Sequence, residues 1–166
     1  MEKNRESGKV GIGKRVSVLL IVFLFIYPQK LLAEIVTKCG ASKGWAYYIK
    51  GGLVPNKEVH TWKKDEIPNG SFLLDVKIEN GKNKYNIFFK DATDRMISYE
   101  EQGFGIVGSI AENGNILVAA ISSSPAIEHF IFELDKKGNG QVIWGAARAG
   151  GVLPKSSVSV ATCAAP

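Results

Sequence analysis

The stretch from Ser71 to Phe89 reads SFLLDVKIENGKNKYNIFF, and it decides the class of fold. Its first half alternates apolar side chains with others at a period of two, which is the period of a strand with one buried face. The face that we expect to be buried carries Phe72, Leu74, Val76 and Ile78. Asn80-Gly81 follows, and both residues tolerate the positive φ of a tight hairpin turn. The stretch therefore predicts an antiparallel hairpin with its return strand at residues 85–90.

The rest of the chain after residue 33 shows the same kind of pattern. Further strands are predicted at residues 44–50, 96–99, 104–111, 116–121, 130–134, 142–148 and 158–163. Residues 53–70 are predicted to be a long polar connection with one short strand around 59–62. No segment combines a period of 3.6 with helix caps. We therefore predict one all-β domain over residues 34–166, with about eight mainly antiparallel strands in a closed calycin-like barrel or a β-sandwich.

Residues 1–33 have the features of a signal peptide. A basic start is followed by the apolar run VSVLLIVFLFIY at residues 16–27, and Ala33 offers a small residue for cleavage before Glu34. The apolar run is shorter than the roughly twenty residues of a membrane span, although an uncleaved anchor is the alternative. We expect a periplasmic or secreted protein whose membrane contact is limited to this segment during export.

The charge of the chain is concentrated in this export segment. The whole sequence carries a formal net charge of +5, but residues 1–33 contain six Lys or Arg and two Asp or Glu. The remaining residues are close to neutral, and none of their stretches combines clustered basic residues with interleaved aromatics. We therefore predict that the protein has no nucleic-acid partner.

Cys39 and Cys163 are the two cysteines, and they lie near the two ends of the predicted domain. In an oxidising compartment such a pair is most simply one disulfide. The alternative is a metal or redox pair. The sequence contains no Cys-x-x-Cys, and no histidine is near either cysteine, so we predict neither a metal site nor a cofactor.

Two groups of side chains are candidates for function. His60 and His129 are the two histidines, and either could serve a hydrolase-type site assembled from distant residues. The aromatic residues that could line a barrel mouth and stack on a ligand are Trp45, Tyr47, Tyr48, Trp62 and Trp144. We expect a non-enzymatic protein, without catalytic residues, that binds a small molecule or an envelope protein. A hydrolase-type enzyme and a structural envelope protein are the alternatives.

Several short motifs resemble those of a family of small exported proteobacterial proteins of unknown function. They are CGASKGWAYY from Cys39, GGLVP from Gly51, the strand around Trp144, and GGVLPKS from Gly150 leading to Cys163. The resemblance implies a location in the bacterial envelope and a disulfide, and it brings no assigned activity. The chain also has a looser likeness to eight-stranded calycin barrels, which include lipocalins and barrel-shaped lysozyme inhibitors.

Overall fold

The computed structural model describes residues 34–90 and 93–166, so the predicted signal peptide lies outside the described residues. These residues form ten strands and one 3-10 turn, at Asn56–Glu58. The strands are β1 (Glu34–Tyr48), β2 (Trp62–Ile67), β3 (Phe72–Glu79), β4 (Lys82–Lys90), β5 (Met96–Ser98), β6 (Phe104–Ile110), β7 (Ile116–Ser122), β8 (Ala126–Leu134), β9 (Gly140–Arg148) and β10 (Lys155–Ala164). No helix in this part of the chain has the length and hydropathy that a membrane crossing requires.

All ten strands belong to one antiparallel sheet, which curls through 263° into an open half-barrel. The strand order is β5-β4-β3-β1-β10-β9-β8-β7-β6, and β2 pairs with the second half of β1. The predicted all-β class and single domain are confirmed. The predictions of a closed barrel and of a β-sandwich are wrong, because there is one sheet and its edge strands β5 and β6 do not pair.

The ends of the sheet meet through side chains instead of backbone pairing. The ring of Tyr85 on β4 lies against Gly108 on β6, where an added Cβ would be 2.4 Å from Tyr85 Cδ2. No backbone pairing joins β4 to β6 in the part of the chain that the structure describes. The barrel therefore stays open between these two strands.

The β3–β4 hairpin forms as the sequence predicts. Asn80 and Gly81 have φ values of 53° and 73°, and the two strands pair from Phe72 opposite Phe89 to Glu79 opposite Lys82. Phe72 and Leu74 are buried, whereas Ile78 is 55% exposed. The prediction that Ile78 is buried is wrong, because the turn end of the hairpin extends beyond the core.

The first and last strands pair in the middle of the sheet. Cys39 on β1 lies directly opposite Cys163 on β10, their Cα atoms are 3.9 Å apart, and the predicted disulfide joins them. β1 begins ten residues before the predicted first strand. Its register shifts between Cys39 and Ser42, and this bulge breaks the alternation that reveals a strand in the sequence.

The concave surface of the curled sheet, here called the inner face, contains the core. Its fully buried side chains include Leu74, Ile87, Phe130 and Phe132. The convex surface is called the outer face. Side chains alternate between the two faces along a strand. On β8 and β9 the even-numbered residues, which include Phe130 and Trp144, point to the inner face.

Candidate functional site

A pocket of about 230 Å³ opens on the inner face. Five aromatic side chains from different parts of the fold contribute to its walls, so most of its surface is apolar. The lining residues are Ile67, Gly70, Ser71, Phe72, Phe89, Lys90, Tyr99, Gln102, Phe104, Glu128, Trp144 and Arg148. The aromatic rings contact one another edge to face, with centroids 5.0 Å apart for Phe72–Trp144 and for Tyr99–Phe104. Such contacts hold the walls in fixed positions.

A carboxylate, Glu128, lies at the base of this pocket because of the register between β8 and β9. Glu128 is directly opposite Ala146, and its two diagonal neighbours on the inner face are Trp144 and Arg148. Long side chains reach diagonal neighbours in an antiparallel pair. The small side chain of Ala146 leaves space for both of them to converge on the carboxylate.

Three donors satisfy the Glu128 carboxylate, which is only 1% exposed. The Tyr99 hydroxyl and the Trp144 indole N–H donate to Oε2, at 2.7 and 2.9 Å, and the Arg148 guanidinium donates to Oε1. A buried carboxylate requires such partners, because desolvation without them is costly. The network therefore joins the β5–β6 turn to β8 and β9.

The protonation states of the donors follow from this arrangement. Burial, and then the Glu128 carboxylate, raise the pKa of Tyr99 well above its ordinary value, so the hydroxyl keeps its proton and donates. Burial opposes the charge of Arg148, but the neighbouring Glu128 carboxylate outweighs this, and the pKa of Arg148 is raised. At neutral pH the pocket thus contains a charged guanidinium and a neutral phenol.

A second ion pair lies beside the first on the inner face. Lys155 on β10 is directly opposite Arg148, and its ammonium contacts the Asp65 carboxylate of β2 and lies 5.9 Å from the centre of the Tyr48 ring. Two cations placed opposite each other would repel. Each has its own carboxylate, Glu128 or Asp65, which compensates for that repulsion.

The structure separates the five aromatic residues that we proposed for ligand binding. Trp144 lines the pocket, and Tyr48, which is opposite Lys155 on the inner face, lies outside it. Tyr47 packs against Trp62, with ring centroids 5.4 Å apart. Trp45 and Trp62 are 52% and 59% exposed, and Trp45 lines a separate depression with Val158 and Lys64. A ligand role for all five residues, Trp144 included, stays a prediction.

The two histidines lie apart from the pocket. His60 is exposed, has a φ of 58°, and its ring is 6.2 Å from that of Tyr47. His129 lies on the outer face of β8, where its imidazole covers Gly145: an added Cβ there would be 2.1 Å from Cε1. Within residues 34–90 and 93–166, no hydrogen bond joins either histidine to a serine or an aspartate.

Three residues of the site, Tyr99, Glu128 and Arg148, were missed by the sequence analysis. The sequence could have indicated two of them, because Glu128 lies on the same face of β8 as Phe130, and Arg148 lies on the same face of β9 as Trp144. A charged residue on a buried face needs a partner of opposite charge. Tyr99 follows the three-residue strand β5 and carries no such signal.

The described residues contain no group of three or more His, Cys, Asp or Glu side chains that could hold a metal ion. Comparisons with protein-family models, with curated proteins and with solved structures found no match to this chain.

Proposed function

We propose that this chain is a non-enzymatic binding protein, and that its ligand is a small molecule held in the inner-face pocket. The observation that carries the proposal is the aromatic cavity of about 230 Å³ with a buried carboxylate at its base that accepts three hydrogen bonds. An apolar cavity with a few convergent polar groups is the usual form of a small-molecule site.

The rigidity of the site supports this proposal. Trp144 is hydrogen-bonded to Glu128 and packs against Phe72, so its indole cannot easily rotate to fill the cavity. A binding site whose side chains are already held in position loses less conformational entropy when a ligand enters. Preorganisation of this kind favours a role in binding.

We further propose that the protein acts in an oxidising compartment, in the periplasm or outside the cell. A disulfide between Cys39 and Cys163 is typical of such compartments. The signal peptide predicted at residues 1–33 and the resemblance to small exported proteins agree with this location.

The test of small-molecule binding uses the indole N–H resonance of Trp144 as a reporter. This proton is hydrogen-bonded to Glu128 at the pocket base, so a ligand in the cavity should shift its NMR signal. We expect small phenyl compounds to shift this signal in a saturable manner, and the indole signal of Trp62 on the outer face to stay in place.

A variant that fills the cavity provides the control. Gln102 lines the pocket and is exposed, and its backbone N–H donates to the Ser98 and Tyr99 carbonyls whatever its side chain. Gln102→Trp should therefore fold and abolish the ligand-dependent shift, whereas Trp62→Phe should leave it unchanged. Shifts that persist in Gln102→Trp, or no saturable shift in the native chain, would contradict the proposal.

A further inference from the structure

The charged groups of the pocket are ordered from the base to the opening. Glu128 is 1% exposed, whereas the side chain of Arg148 is 42% exposed. The ion pair therefore has its negative end in the protein and its positive end towards the solvent. Lys155, opposite Arg148 on the neighbouring strand, is a second cation near this end, and Asp65 is its partner.

The charged group that the pocket presents to a ligand is a hydrogen-bond donor, because Arg148 is partly exposed and Glu128 is buried. The Glu128 oxygens already accept bonds from Tyr99, Trp144 and Arg148. A guanidinium has five N–H groups. Among the described residues, the contact of Arg148 Nη2 with Glu128 is the hydrogen bond that this guanidinium donates, so its other N–H groups can bind a ligand. A ligand at this end must present acceptors.

The cavity volume limits the apolar part of such a ligand. Pockets for drug-sized molecules range from roughly 300 to 1,000 Å³, and an engineered cavity of about 150 Å³ binds benzene. The volume of about 230 Å³ lies between these cases. It has room for one six-membered ring with a short arm, and the aromatic walls suit a flat ring.

We propose that the pocket binds a small aromatic carboxylate, with its ring among Phe72, Phe104 and Trp144 and its carboxylate on the free N–H groups of Arg148. This inference rests on the proposed small-molecule function and specifies its ligand. The planar guanidinium matches a carboxylate through two parallel hydrogen bonds. An organic cation could stack on the same rings. It would meet the repulsion of Arg148, and the Glu128 carboxylate is buried behind Arg148 and already accepts three hydrogen bonds.

The experiment compares three probes that share one ring and differ in charge: phenylacetate, phenylacetamide and phenethylammonium. Each probe is titrated into the native chain at neutral pH, and the NMR signal of the Trp144 indole N–H is the reporter. We expect phenylacetate to bind about 10- to 100-fold more tightly than phenylacetamide, since charged, two-armed hydrogen bonding to a guanidinium is roughly twice as strong per bond as a neutral hydrogen bond. Phenethylammonium should bind most weakly.

The outcomes separate this inference from the proposed function. If none of the probes shifts the resonance, small-molecule binding itself fails for this ligand class, and the inference fails with it. If phenylacetamide or phenethylammonium binds as tightly as phenylacetate, and Gln102→Trp abolishes that binding, the pocket is a binding site but the preference for an anion is refuted.

A substitution at the anchor residue provides a second test. Arg148→Lys keeps the charge and its attraction to Glu128 but loses the planar fork. Phenylacetate, which uses both arms of the fork, should therefore bind several-fold more weakly, and phenylacetamide, which has one acceptor oxygen, should lose less. An equal loss for both probes would overturn the role of the guanidinium. Because the probe series uses the native chain, it decides the inference even if Arg148→Lys does not fold.

Discussion

Replacement of Glu128 by glutamine tests whether the buried carboxylate holds the two ends of the sheet together. The substitution preserves shape, so it changes the hydrogen bonds and the charge with little effect on packing. A glutamine amide has one acceptor oxygen and one NH2 group. Whichever way the amide is oriented, its NH2 group faces a donor, either Arg148 on one side or the Tyr99 and Trp144 pair on the other.

The magnitude follows from the favourable orientation, in which the amide oxygen faces Tyr99 and Trp144. These two bonds then lose their charge assistance, which costs about 1 kcal/mol each, since bonds to charged groups are about twice as strong as neutral ones. The Arg148 side chain is 42% exposed and can turn to water, so its lost pairing is discounted to about 0–1 kcal/mol. We therefore expect Glu128→Gln to lower the free energy of unfolding by about 2–3 kcal/mol.

The assay is urea denaturation with the disulfide intact, followed by tryptophan fluorescence. With a slope of about 1–3 kcal/mol/M for a small domain, the unfolding midpoint should fall by on the order of 1 M. Glu133→Gln is the matched control, because Glu133 lies on the outer face of the same strand and contacts Gln141 at the exposed surface. Its midpoint should change by the equivalent of about 0.5 kcal/mol or less.

A double-mutant cycle with Tyr99→Phe shows whether the lost stability belongs to the network. Tyr99→Phe should destabilise the native chain by about 1–2 kcal/mol, and it should cost at least about 0.5 kcal/mol less in the Glu128→Gln background. The reasoning is refuted if Glu128→Gln unfolds at the same urea concentration as the native chain, or if the two substitutions are strictly additive.

Three further predictions concern the sheet and its turns. Reduction of the Cys39–Cys163 disulfide should lower the melting temperature in calorimetry without unfolding the domain, because the free energy of unfolding falls by at most about 5 kcal/mol. An unchanged melting temperature would contradict this prediction. In urea denaturation, Leu74→Ala should lower the free energy of unfolding by about 2–5 kcal/mol, and Ile78→Ala on the same face should lower it by well under about 1 kcal/mol. Equal losses would mean that the hairpin is not buried as described. The backbone amides of Asn139 and Lys137 donate hydrogen bonds to the Asp135 carboxylate and lower its pKa in the folded protein. The carboxylate therefore stabilises the fold at pH values above the unfolded pKa, and this stabilisation is lost as the pH falls through the lower folded pKa. The stability difference between native and Asp135→Ala chains should therefore shrink in acid, and a constant difference would exclude this cause.

The local elements of the fold could be predicted from the sequence. The β3–β4 hairpin has regular alternation and an Asn-Gly turn, and both features depend on residues close in the chain. The short strand predicted around residues 59–62 lies before the observed β2 (Trp62–Ile67) in the chain. The side chains of β2 are mostly exposed, so no apolar periodicity marks it in the sequence. A strand that is stabilised by its pairing with β1 and contributes little to the core leaves a weak signal in the sequence.

The open form of the barrel depended on contacts between distant residues. The pairing of the first and last strands was consistent with a closed barrel, and that pairing is present. The opening lies elsewhere, between strands in the middle of the chain. There the Tyr85 ring lies against Gly108, a contact between distant residues that no pattern of apolar residues encodes.

The same limit applied to the candidate site. The strand containing Trp144 was predicted with Arg148 in it, whereas the strand containing Phe130 was predicted from residue 130 and begins at Ala126. In the structure, the alternation of side chains along both strands places Glu128 and Arg148 on the inner face. Their contact depends on the register that sets Glu128 opposite Ala146. Register is fixed by the turn between the strands and by packing, and one sequence does not define it.

Tyr99 connects the openness of the barrel with the candidate pocket. Its ring packs against Phe89 on β4, Phe104 on β6 and Phe130 on β8, and its hydroxyl donates to Glu128. These strands lie on both sides of the opening, so one side chain provides a link that backbone pairing provides in a closed barrel. In this fold, the side chains that bridge the opening also form the walls of the cavity, and the stability of the half-barrel and the shape of the pocket therefore depend on the same residues.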